Sequence, residues 1–361
     1  MSPPTTLAES LAQRTLELCR IPSPIGQERE IADFVARWAE RHFAPGEVFR
    51  HSHSFVLGKR EEDPRPTVAL MGHLDTVPGH ATDGPPRIEG GRVFGLGSSD
   101  MKGGVAVMMA LAERLDRSAL PYNLLFVLYE REEGPYRENG LGPLLTMVPA
   151  LGRIRLGIAM EPTDGVVQVG CVGSLHATLG FSGKSAHSAR PWQGANAIHA
   201  AGPLLADLLA RPRKEVELQG YPFFEVFSVT RATGGRARNV VPDAFELNLN
   251  YRFAPGKSLE VAQQDVMDLV AGRATVDFTD LSPSGRVCAD NPVFQKMLSV
   301  TGLSTASKQA WTDVAQLSEH GIDAVNFGPG ETAQAHQAKE GAPVVALAHA
   351  HEALARFLST A

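Results

Sequence analysis

Apolar residues along this chain follow two rhythms, and the switches between them mark out its organisation. Over residues 5–20 and 27–41 they recur every three or four positions, the spacing of one helix face. Ile21-Pro22-Ser23-Pro24 separates these two helices, because proline removes a backbone donor and clashes with the preceding turn. Beyond residue 66, apolar runs of strand length at 67–71, 123–129 and 156–160 alternate with helical spacing at 101–117. Strands alternating with helices predict an α/β fold, with functional groups gathered at the carboxyl ends of the strands.

After about Val172 the pattern changes. Residues 175–181 alternate apolar and polar like a half-buried strand, and a helix is expected at 196–210. Alternation returns at 225–231 and 244–253, around Gly234-Gly235 and Pro242-Asp243, before a helix at 259–270 and a strand at 275–279. Strand, helix, two strands, helix, strand describes a small α+β layer inserted as a lid. Past Ser282 the first texture resumes, with helices at 291–300, 314–320 and 344–358 and a strand at 324–326. The expected organisation is a discontinuous domain of residues 1–172 and 283–361, interrupted by a smaller domain at 173–282.

Composition narrows the function. With 361 residues, 43% of them apolar and 20% charged, the chain suits two globular domains. A net charge of −6 leaves no basic footprint for nucleic acid. The longest apolar stretch, around 104–112, falls short of the ~20 residues a membrane span needs, and Met-Ser-Pro-Pro-Thr-Thr has no secretory pattern. Cys19, Cys171 and Cys288 are few, odd in number and far apart, which points to a reducing, cytoplasmic compartment. None forms a CxxC pair, so a structural zinc knot is not expected.

The chemistry sits where apolar runs end: His73-Leu74-Asp75, Asp100, Glu132-Glu133, Glu161 and, in a loop, His336. In extended chain residues two apart face the same side, so Asp75 can orient the His73 ring. Asp100 follows Gly95-Leu96-Gly97-Ser98-Ser99 at a helix start, where a lone Asp would read as a cap. That glycine spacing matches no phosphate-binding loop. Adjacent carboxylates such as Glu132 and Glu133 repel unless a cation compensates them. Glu130, Arg131 and Glu138 would suit a surface charge run, but an apolar strand leads straight into the pair. Pro162 holds Glu161 extended. Five prospective ligands and two spare carboxylates suffice for two metal ions, a base and an orienting residue. H-E-x-x-H and G-x-S-x-G are absent, and no cysteine has a catalytic setting. Carboxylates with few imidazoles and no thiolate suit Zn²⁺ first, then Co²⁺ or Mn²⁺.

These residues in this order resemble the dinuclear zinc aminoacylase and metallopeptidase family, over essentially the whole chain. The resemblance rests on Met71-Gly72-His73-Leu74-Asp75-Thr76-Val77-Pro78, Ser99-Asp100-Met101-Lys102-Gly103-Gly104, Glu132-Glu133-Gly134 and Met160-Glu161-Pro162-Thr163. It implies a mixed-sheet catalytic domain with helices on both faces, and a lid that also dimerises. It implies two Zn²⁺, one held by His73, Asp100 and Glu161, the other by Asp100, Glu133 and His336, with Asp100 bridging. Asp75 would orient His73, and Glu132 would be the general base. Ser185-Ala186-His187-Ser188 resembles the family segment whose His reaches the reacting carbonyl across a homodimer.

Within the family the chain is most similar to enzymes that release succinate from N-succinyl-LL-2,6-diaminopimelate. The similarity lies in Ala186-His187-Ser188-Ala189-Arg190-Pro191-Trp192, Asn239-Val240-Val241-Pro242-Asp243, Asn250-Tyr251-Arg252-Phe253, Trp311-Thr312-Asp313-Val314 and Val325-Asn326-Phe327-Gly328-Pro329-Gly330. Arg190 and Arg252, with Arg238, are candidates for binding substrate carboxylates, and Asn239 could donate from its amide. Deacetylation of N-acetylornithine or N-acetylcitrulline is the runner-up, followed by dipeptidase or carboxypeptidase activity. An inactive metal-binding module is the reading from another class. Two departures bear on acyl choice: Val314-Ala315-Gln316 stands where many members carry an Arg, and Gly134-Pro135-Tyr136-Arg137-Glu138 differs from the usual loop.

Overall fold

In the computed structural model, residues 6–361 are described and fall into two compact units. The expected helix start at Thr5 lies outside the described residues. The first unit comprises the chain up to Gly170, Arg286–Lys308 and Thr312–Ala361. The second, Cys171–Gly285 with Gln309–Trp311, spans the insertion expected at residues 173–282 and adds a short return segment.

The first unit is built on an eight-stranded sheet. In spatial order its strands are Val48–His51, Ser54–Leu57, Asn123–Tyr129, Thr67–His73, Ile154–Pro162, Ala324–Gly328, Val167–Val169 and Thr305–Ser307. The third to sixth run parallel, while the Val48–His51, Ser54–Leu57 and Val167–Val169 strands add antiparallel pairings, so the sheet is mixed. Every residue of Thr67–His73 and Asn123–Tyr129 is buried, as continuous apolar runs covered on both faces require. Alternation places Gly157 and Met160 on opposite faces. Gly157 lies against Leu317 of the Val314–Glu319 helix, and Met160 against Gly104 of the Lys102–Arg114 helix. A methyl group on Gly104 would come within 2.4 Å of the Met160 carbonyl, so only glycine lets this helix approach so closely.

Several elements depart from the sequence reading for local reasons. The helix expected at 101–117 runs Lys102–Arg114 and stops where Leu115 turns extended. The one expected at 196–210 divides into Ala197–Ala200 and Gly202–Ala210, with Pro203 opening the second part. Asn196 Oδ1 caps the first part by accepting from the Ile198 and His199 N–H groups. No described helix is long and apolar enough to cross a membrane.

The second unit is a five-stranded antiparallel sheet in the order Lys214–Leu218, Tyr221–Gly234, Ala244–Phe253, Gly173–Ser182 and Thr275–Ser282. Leu175, Ala177, Leu179 and Phe181 form its inner face and pack with Leu204 and Val266 from two helices. The edge strand Lys214–Leu218 was not expected, because Lys-Glu-Val-Glu-Leu carries only alternate apolar residues among charges. A tight turn pairs it with its neighbour: Gln219 and Gly220 both have positive φ, 52° and 83°, as the hairpin turn demands.

Candidate metal centre

Parallel pairing brings the predicted residues of the first unit together. His73 is level with Tyr129, and the next strand continues to Glu161 and Pro162, so three strand ends open on one place. His73 Nε2 lies 3.2 Å from Asp100 Oδ1 and 3.9 Å from Glu161 Oε1. On the other side of Asp100, Oδ2 is 3.8 Å from His336 Nε2, which is 3.0 Å from both Glu133 oxygens. Donor atoms of His73, Asp100 and Glu161 lie within 4.8 Å of one another, and so do those of Asp100, Glu133 and His336. Asp100 belongs to both groups. Glu132 forms a further group of this kind with His73 and Glu133.

Asp75 has a broader part than orienting an imidazole. The acceptor nearest His73 Nδ1 is the Asp75 backbone oxygen at 3.1 Å, with carboxylate Oδ1 at 3.5 Å. Each Asp75 oxygen also accepts a backbone N–H at 3.0 Å, Oδ1 from Glu132 and Oδ2 from Glu133. One fully buried carboxylate therefore fixes both the His73 strand end and the two acids of the neighbouring strand end.

Burial and crowding shape the electrostatics. Burial and the Asp100 charge push the Glu161 carboxyl up to about 8. The Glu133 carboxylate holds the His336 imidazole up to about 9. Burial, with Asp313, Glu133 and Glu161 adding, drives Glu132 well above the usual carboxylate range. Carboxylates that raise one another in this way call for a cation, and a donor set of imidazoles and carboxylates fits Zn²⁺, Mn²⁺ or Co²⁺.

Proton competition gives a sign for pH dependence. Without metal, Glu161 and His336 carry protons at neutral pH, and a cation must displace them. Metal affinity is therefore expected to rise with pH up to about 9 and to level off above it. Competition titrations against a chelator across this range would show the rise, and calorimetry in buffers of different ionisation enthalpy would show proton release. Affinity unchanged between about pH 6 and 9 would remove these two residues from the ligand set.

Four supporting residues were not singled out from the sequence. Glu340 is buried, and its carboxylate accepts from the backbone N–H groups of Gly97, Ser99 and Asp100 at 2.7, 2.7 and 2.9 Å. It holds the loop that presents Asp100. Glu340→Gln, which keeps the shape but loses the charge, is expected to weaken metal binding about 10–100-fold while the chain still folds. Metal titration with circular dichroism checks this, and unchanged affinity would make Glu340 a purely structural anchor. Lys102, also buried, donates from Nζ to the Ile21 carbonyl at 2.8 Å. Asp313 is buried beneath the acids, held by Asn139 Nδ2 at 2.8 Å and Gln316 Nε2 at 2.7 Å, and burial pushes it up to about 6. Gln316 is thus turned to Asp313. Lys308 is buried with Nζ 3.4 Å from the Pro162 carbonyl. Asp313 lay within a recognised segment and Glu340 only four residues after His336, but neither ends an apolar run.

The other predicted residues belong to the second unit. His187 and Arg190 are exposed in one loop, where His187 Nδ1 accepts from the Ala189 N–H at 3.0 Å. That loop pairs with the Asn239 segment through Ser188 N–H to Asn239 O at 2.9 Å. Arg252 lies apart from them on the Ala244–Phe253 strand, with Nε donating to Asn250 Oδ1 at 3.0 Å.

Comparison with known proteins places the chain in a family. A putative succinyl-diaminopimelate desuccinylase of Mycobacterium tuberculosis is 36% identical over 345 residues, covering 95% of this chain and 96% of that protein. The acetylornithine deacetylase of Myxococcus xanthus is 33% identical over 311 residues, covering 82% and 80%. The crystal structure of aminopeptidase PepT from Bacillus cereus superposes with a TM-score of 0.77 over 98% of both chains at 21% identity, which shows the shared fold. Residues 69–360 match the family described as Peptidase family M20/M25/M40, and this chain is a hydrolase of that family.

Proposed function

We propose that this protein hydrolyses the amide of an N-acyl amino acid, with N-succinyl-LL-2,6-diaminopimelate as its substrate, using two zinc ions. One observation carries the reading: Asp100 is shared by two three-donor groups, and Glu132 lies beside both without belonging to either. The first ion falls to His73, Asp100 and Glu161, and the second to Asp100, Glu133 and His336. Bound ions would supply Lewis acidity toward the amide carbonyl and toward water.

The remaining work belongs to the chain. Glu132 takes the proton of the attacking water and returns it to the departing amine. Asp75 keeps Glu132 and Glu133 in place through their backbone N–H groups. On the family resemblance, His187 donates to the carbonyl oxygen as negative charge develops there, and the second unit serves as lid and homodimer contact. Arg190, Arg252 and Asn239 are assigned to the substrate carboxylates. The reading assigns the protein to the cytoplasm, which its three cysteines, all free and buried, support.

The extent of the similarity to the Mycobacterium tuberculosis protein favours the succinyl substrate over the acetyl one. Zinc-loaded protein assayed on N-succinyl-LL-2,6-diaminopimelate and N-acetylornithine side by side, with a chelated control, tests this. Metal-dependent preference for the succinyl compound supports the proposal. Preference for the acetyl compound keeps the chemistry but moves the substrate, and no turnover of either overturns both.

A further inference from the structure

Beyond the Asp100 centre, the first unit gathers a second set of metal-type donors. Glu28 lies just before the Arg29–His42 helix, His53 in the turn between the Val48–His51 and Ser54–Leu57 strands, and Glu130 directly after Asn123–Tyr129. One donor atom from each lies within 4.8 Å of the other two. His53 Nδ1 is 2.7 Å from Glu130 Oε2, and Glu130 Oε1 accepts from the His53 N–H at 3.2 Å.

Glu28 supplies the independent sign of a ligand. The residue is 0% exposed, and its Oε1 accepts from the Gly26 N–H at 2.7 Å. Its Oε2 is equally buried and has no hydrogen-bond partner. A carboxylate oxygen taken out of water without a donor is costly, and such oxygens are ordinarily paired or coordinate a metal. Among the described ion pairs, Glu130 meets only His53, and Glu28 meets no Lys, Arg or His.

We propose that Glu28, His53 and Glu130 form a third divalent-cation site, separate from the Asp100 centre. Two carboxylates balance the ion's charge, and the imidazole favours Zn²⁺ or Mn²⁺ over Ca²⁺ or Mg²⁺. A tetrahedral ion about 2.1 Å from each donor spaces them about 3.4 Å apart. The His53–Glu130 pair therefore parts by some tenths of an ångström as Glu28 closes in. His53 is 27% exposed at its side chain, which gives an ion a way in. The site ties a helix start and a hairpin to a strand end two residues before Glu132, so it braces the base from behind.

The test is metal content. The full chain, stripped with a chelator, loaded with Zn²⁺ and desalted, is analysed by mass spectrometry beside Glu28→Gln and His53→Ala. Wild type should hold one ion per chain more than either variant, and anomalous diffraction at the zinc edge should place a peak among the three side chains. Equal metal content in all three proteins, with no such peak, overturns the proposal. Glu28→Gln preserves shape and the Gly26 hydrogen bond, and circular dichroism confirms that each variant is folded. His336→Ala removes an ion from the Asp100 centre instead, so failure of one site is distinguishable from failure of the other.

Discussion

Glu132→Gln is expected to lower kcat about 10²–10⁴-fold while both ions of the Asp100 centre stay bound. The substitution keeps the side chain's shape, and the backbone N–H of residue 132 still reaches Asp75. Only the proton acceptor is removed. Burial and the acids Asp313, Glu133 and Glu161 raise Glu132 above the usual carboxylate range, and a more basic carboxylate accepts the proton of water more readily. A loss confined to the proton transfer appears in kcat, with KM little changed. Kinetics on the succinyl substrate, paired with metal analysis of the same preparation, separates the alternatives. Glu132 also groups with His73 and Glu133. An ion lost from Glu132→Gln would therefore make it a ligand, and near-normal turnover would leave the base elsewhere.

How much of this was legible beforehand depends on how each residue is carried. His73, Glu132, Glu133 and Glu161 close apolar runs, and hydrophobic periodicity is the strongest signal a single sequence offers. The parallel register that sets His73 beside Tyr129 then follows from runs buried on both faces. Asp75 was expected to turn one imidazole. Its hold on two backbone N–H groups depends on pairing between strands more than fifty residues apart, which local pattern does not encode. Glu340 was missed for a related reason. It lies in a short polar segment, and its significance comes from three N–H groups some 240 residues earlier. The edge strands Val48–His51, Lys214–Leu218 and Thr305–Ser307 are short and partly polar, as edges usually are, and fell below any pattern threshold.

The shared carboxylate gives the sharpest contrast between substitutions. Asp100 Oδ1 faces His73 and Oδ2 faces His336, and the carboxylate groups with Glu161 as well as with Glu133. Asp100→Asn removes the negative charge from both groups and leaves one oxygen in place of two. It is expected to weaken both ions by more than about 100-fold each, beyond what loss of a supporting residue costs, and to abolish measurable turnover. His336→Ala, which touches one group only, should release a single ion and leave the His73–Asp100–Glu161 group able to bind. Metal content and chelator competition on the two variants, run side by side, read this difference directly. If Asp100→Asn releases no more metal than His336→Ala, Asp100 serves one ion and the centre is two separate sites. In that case no carboxylate would hold the two ions at a fixed separation over one amide, and Glu132, which groups with His73 and Glu133, would stand between two independent sites.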